Sequence, residues 1–315
     1  MATKDPPADL PTEAEKDLIR QGERTVDNLK RLFAFMFAIS FGVLATSAIE
    51  ELRPVLTNLS VPPRSTAAWL LIFEMWSVFV VTAGVFYHQG AKFLDNRYAR
   101  HPISEVHPFG FAWDYLTLVI TMVPFFFMAH SLHPSVTHVV GYTWFFGFYI
   151  ALLGSGLILL VLAQIRHSEF VRNRLFGEIL AATEIAIEGV LRTYWLLMNS
   201  FILLLILLLF SAYVWASTPC PTSPKQGEIP YFLYLFGALA LMRDYLDYRY
   251  AWRFLYPVRP DKALALDRWP LTRIREPNDQ KPWILLAYIF IIVSLVIAYR
   301  LRFWDIGYWA ATCKL

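Results

Sequence analysis

Three ionisable side chains, Glu74, Asp114 and Arg243, stand inside long apolar runs. A charge in hydrocarbon costs about 2.5–3.5 kcal/mol even on insertion scales, so such residues mark an ion or substrate path or are paired with one another. Glu74 falls about two helical turns into its run, and Asp114 lies near the end of its own, within reach of an interface. Two charge pairs follow from helical spacing: Lys92 with Asp95, three apart, and Arg243 with Asp247, four apart. Both are expected at the inner membrane interface as structural salt bridges. His130, His133 and His138 crowd one short segment, but no cysteine or carboxylate stands beside them in sequence, so no metal site is expected. No histidine is placed mid-run to hold haem. No glycine-rich phosphate loop, nucleophile elbow or catalytic carboxylate pair is present either. The expectation is a chain with no catalytic residues and no cofactor, not an enzyme.

The elements that position these groups are membrane helices. Of 315 residues, 57% are hydrophobic and only 17% charged, and mean hydropathy is +0.45. A soluble domain carries about a quarter charged residues. The predicted class is an all-α polytopic membrane protein. About 20 apolar residues cross a bilayer core as helix, and seven runs approach that: 32–49, 68–88, 109–132, 139–165, 193–215, one starting near 229, and 283–299. The sixth meets Arg243 early and spans only if that charge snorkels or faces protein. With the N-terminus inside, segments 1–31, 89–108, 166–192 and 243–282 hold 22 of the 28 lysines and arginines. The positive-inside rule therefore predicts seven spans, N-in and C-out. Net charge is only +3, too small a surplus to suggest nucleic acid.

The organisation reads as a cytoplasmic tail (1–31), a first membrane bundle of spans 1–4 (32–165), a cytoplasmic amphipathic segment (166–192), and a second bundle (193–315) with a cytoplasmic loop at 250–282. Residues 93–100, FLDNRYAR, match 245–252, YLDYRYAW, at five positions, each at the end of an out-to-in run. Arg31 and Arg192 likewise each open an in-to-out run. This suggests two parallel three-helix repeats joined by the fourth span, a recurrent transporter architecture. Cys220 and Cys313 fall on the outer, oxidising face; a bridge between them and two free thiols are both open readings.

The run Arg31-Leu32-Phe33-Ala34-Phe35-Met36-Phe37 resembles the opening of the lysosomal potassium-channel family and its bacterial relatives, whose signature is Arg, three residues, then Phe-Ser-Asp. Arg31 and Phe35 match, whereas Met36 and Phe37 replace the Ser and Asp. Ser77 with His88, and Pro124-Phe125, add to the likeness over about residues 31–166. The resemblance implies that span 1 lines a conduction path, with Ser40, Thr46 and Ser47 as its polar groups and Ile39 and Leu44 at a hydrophobic constriction.

Together these features predict a multi-pass protein of a plasma or bacterial inner membrane. Its partners are the lipid bilayer and small ions, it is a homo-oligomer or a subunit of a membrane complex, and it conducts ions as a channel or pore. The alternatives are a non-conducting structural or effector subunit and a small-solute carrier built on the repeats.

Overall fold

The computed structural model describes residues 12–57, 66–100, 108–134, 138–166, 189–216, 231–255, 273 and 277–302. Among them are seven α-helices and no strand: α1 (Glu13–Leu56), α2 (Thr66–Arg100), α3 (Pro108–Ser131), α4 (His138–Arg166), α5 (Gly189–Ala216), α6 (Tyr231–Leu255) and α7 (Pro277–Arg300). Six of these, all but α6, are long and apolar enough to cross a membrane. The chain is an all-α, multi-pass integral membrane protein.

The helices outrun the apolar segments that predict them, because helix propensity does not stop at the edge of hydrocarbon. The clearest case is α1, whose 44 residues span about 66 Å at ~1.5 Å per residue, twice a bilayer core. Its inward stripe is Leu29, Phe33, Phe37, Ser40, Leu44 and Ser47, the alternating three- and four-residue spacing of one helix face. The opposite face shows Leu32, Phe35, Ile39 and Ile49 to the surroundings, as lipid requires.

Packing follows a repeated pattern. α1 packs on α3 and α2, α5 packs on α7 and α6, α2 runs along α6, and α4 bridges α3 to α5. Rings fill both halves. Phe33 stacks on Tyr87 at 5.7 Å and meets Phe37 edge-on at 5.1 Å, while Phe146, Tyr149, Phe232 and Phe236 interlock between α4 and α6. At its first turns α5 is tied by polar bonds: Arg192 Nε donates to Gln164 of α4 at 2.8 Å, and Thr193 donates to Gln280 of α7 at 3.2 Å.

α6 reverses the pattern of a soluble amphipathic helix. Phe236, Gly237, Ala240, Arg243, Asp244, Asp247 and Ala251 face inward, whereas Leu235, Met242, Tyr245 and Tyr248 face out. Charges inside and apolar rings outside suit a helix whose solvent is lipid. The sixth run is therefore a helix of the bundle, and its arginine faces protein rather than snorkelling.

Candidate functional site

The inward face of α6 holds a buried charge centre at mid-helix. Arg243 is 1% exposed and Asp244 and Asp247 are 0% exposed. Arg243 Nη1 donates to Asp244 Oδ1 at 2.6 Å, and its Nη2 lies 3.2 Å from Asp247 Oδ2. Its Nε donates to Asn199 Oδ1 of α5 at 3.0 Å, and the ring of Phe86 of α2 lies 5.0 Å from the guanidinium carbon. Arg243 is thus held on three sides: by its own helix, by α5 and by α2.

The carboxylates are held differently. Asp247 accepts from Trp195 Nε1 at 2.6 Å on one oxygen and from Gln89 Nε2 at 2.6 Å on the other, where Arg243 also points. Asp244 accepts from Arg243 on one oxygen; its other oxygen lies 2.5 Å from the hydroxyl of Thr82. Thr82 and Gln89 are seven apart on α2, and Trp195 and Asn199 four apart on α5, so each helix presents two polar groups from one face. Tyr149 of α4 completes the enclosure. Its hydroxyl is fully buried and has no hydrogen-bond partner among the described residues, in the field of Asp244, Arg243 and Asp247.

A cavity of about 170 Å³ adjoins the centre, with Gln89, Trp195, Asn199 and Arg243 in its wall. The rest of its lining is mainly aromatic and aliphatic, with Phe33, Phe86 and Phe93 on one side. Asp114 also lines it. Instead of reaching an interface, this carboxylate is 2% exposed, because α3 turns it toward α1, α2 and α4 rather than along the helix end.

The other residues singled out from sequence fall as follows. The Arg243–Asp247 pair forms, and α2 and α5 bury it on the inward face of α6. The Lys92–Asp95 pair does not: Asp95 meets Lys30 of α1 instead, since α1 continues as helix past the apolar run and brings Lys30 alongside α2. Glu74 is half-buried on α2, its carboxyl laid against Gly237 of α6. Arg31 and Phe35 are exposed, Phe35 at 62%. Of the residues assigned to a path along span 1, Ser40, Leu44 and Ser47 point into the bundle, and Ile39 and Thr46 point out of it. The three hydroxyls each donate to the carbonyl one turn back on α1, to Met36, Gly42 and Val43 respectively. His133 meets Glu50 at 3.0 Å and lies beside His130; among the described residues no three metal-ligating side chains converge. The side chain of His138, both cysteines, and segments 167–188 and 256–272 lie outside the described residues.

Asp244, Thr82, Gln89, Trp195, Asn199 and Tyr149 are functional candidates that sequence reading passed over. Their signal was polar side chains four and seven residues apart (Trp195 and Asn199, Thr82 and Gln89) within or at the end of apolar runs. Compared with known proteins, the chain matches no family model, no curated protein and no solved structure.

Proposed function

We propose that this membrane protein translocates small ions, and that the moving ion passes the Arg243–Asp244–Asp247 centre within a single chain. One observation carries the reading: two fully buried carboxyl groups share one guanidinium at mid-bundle, beside a cavity. A charge excess in low dielectric is costly, so the centre binds a compensating cation, and a group that exchanges its cation is a transport site. The division of the span-1 residues between two faces of α1 favours this path over one lined by α1 alone. It is closer to carrier than to open channel, because Phe86 lies over Arg243 and Phe33, Phe86 and Phe93 line the adjoining cavity. A path through one chain needs no second copy.

The test is flux in liposomes under potassium, sodium and proton gradients. Asp244→Asn is expected to cut flux at least ten-fold, while Ile39→Asn on the outward face leaves it unchanged. Flux altered by Ile39→Asn and indifferent to Asp244→Asn would move the path to the surface of α1. No flux of any of these ions from folded wild-type protein would overturn the reading in favour of a non-conducting subunit.

A further inference from the structure

We propose that Asp244 is an exchangeable proton-binding site, its proton shared with the Thr82 hydroxyl, and that Asp247 is the permanent counter-ion of Arg243. The proposal rests on the translocation reading and names its ion.

Charge and donor direction lead to it. Among the described residues, Arg243 is the sole cation in contact with either aspartate, so with both ionised the centre carries a net charge of −1. The polar groups facing the pair are Thr82 and Gln89 from α2, Trp195, Asn199 and Tyr194 from α5, Tyr149 from α4 and Arg243 on α6 itself. One proton on one carboxyl neutralises the whole.

Which carboxyl takes it follows from what each oxygen touches. The indole N–H of Trp195 and the guanidinium of Arg243 only donate, and the amide of Gln89 presents its nitrogen. All three point at Asp247, whose oxygens are therefore acceptors and hold the negative charge. Asp244 has one fixed donor, Arg243, on Oδ1. On Oδ2 it has a hydroxyl, which can accept as readily as it donates. Among the described residues, the Asp244–Thr82 contact is thus the one hydrogen bond of the centre that can reverse without moving a heavy atom. With Asp244 protonated, its O–H donates to Thr82 Oγ1.

Tyr149 is the independent observation. A buried phenol without a partner is unfavourable, because its lost water contacts are not replaced. This one faces the aspartates and is spare in the state described. Its hydroxyl is a further O–H close enough to feel the charge state of both aspartates. The balance is simple: Asp244 releases H⁺ toward the cavity, whose wall includes its hydrogen-bond partner Arg243, and becomes a carboxylate, and Thr82 turns its hydroxyl back to donate. Uptake reverses each step.

Infrared spectroscopy of the full chain in lipid, with aspartate carbons isotopically labelled, reads the site directly. A protonated aspartic acid carbonyl band is expected at neutral pH. It should vanish in Asp244→Asn, shift further in Thr82→Val than in Gln89→Leu, and shift on transfer to D2O. Asp244→Asn keeps the Arg243–Asp247 pair, and the thermal transition of each variant checks that it folds. Absence of the band, a shift in Gln89→Leu at least as large as in Thr82→Val, or a band indifferent to D2O would each overturn the proposal. A band that behaves as stated in a protein without ion flux would uphold the proton site and remove only the translocation reading.

Discussion

Replacing Arg243 by methionine removes the cation and keeps much of the side-chain volume. The loss is the 2.6 Å bond to Asp244, the 3.2 Å contact with Asp247, the 3.0 Å bond to Asn199 and the stacking on Phe86. Charged hydrogen bonds contribute about 1.5–3 kcal/mol each, but bonds within one network do not add. The better guide is the cost of leaving a buried charge without its partner, about 3–5 kcal/mol. That range corresponds to a roughly thousand-fold change in the folded-to-unfolded ratio. Reversible unfolding in detergent, followed by tryptophan fluorescence, measures it. Asp247→Asn alone should cost about 2–3 kcal/mol, because its NH2 then faces either Trp195 or the donors Gln89 and Arg243 while its oxygen keeps the other side. The double variant should cost at least about 1.5 kcal/mol less than the two singles together, since the residues it leaves carry no mismatched charge pair. An Arg243→Met cost under about 1 kcal/mol, or strict additivity in the cycle, would refute the reasoning that this pair is a coupled, desolvated unit.

Two glycines make further predictions. A Cβ at Gly90 would stand 2.6 Å from Phe33 Cε1, and that ring is fixed between Tyr87 and Phe37. Gly90→Ala should therefore cost about 1–3 kcal/mol in the same unfolding assay, and Phe33→Leu should recover most of it. A Cβ at Gly237 would stand 2.5 Å from Glu74 Oε1, the free end of a flexible side chain. Gly237→Ala should cost less than about 1 kcal/mol, and nothing measurable when combined with Glu74→Ala.

Much of the architecture was legible because a bilayer imposes it. Apolar runs of span length predict six helices directly, and the seventh follows from the alternation of basic segments. The identity of the site was less legible. Arg243 and Asp247 are readable as a pair from their spacing, but spacing along one helix does not reveal whether its charged face meets water, headgroups or another helix. That depends on Thr82, Gln89, Trp195 and Asn199, which are 100 or more residues apart between α2 and α5 and individually unremarkable in apolar runs. Asp244 was hidden by its neighbour, since a charge beside Arg243 reads as the edge of a loop. Lys30 and Asp95 were missed for a different reason: the pairing requires α1 to continue well beyond its apolar stretch, and hydropathy is silent on helix continuity in polar sequence.

The inward charges of α6 bear on how the protein is made. On insertion scales Arg243, Asp244 and Asp247 together oppose entry by about 8–10 kcal/mol, and the leucines and phenylalanines of α6 return only about 0.3–0.6 kcal/mol each. Alone, this segment stays out of the bilayer. It becomes insertable once Gln89, Trp195 and Asn199 are there to receive its side chains. During synthesis α6 must therefore wait for α2 and enter beside α5, so a defect at Trp195 or Gln89 would surface first as a topological error, with α6 stranded outside the membrane and α7 left to insert in the wrong direction.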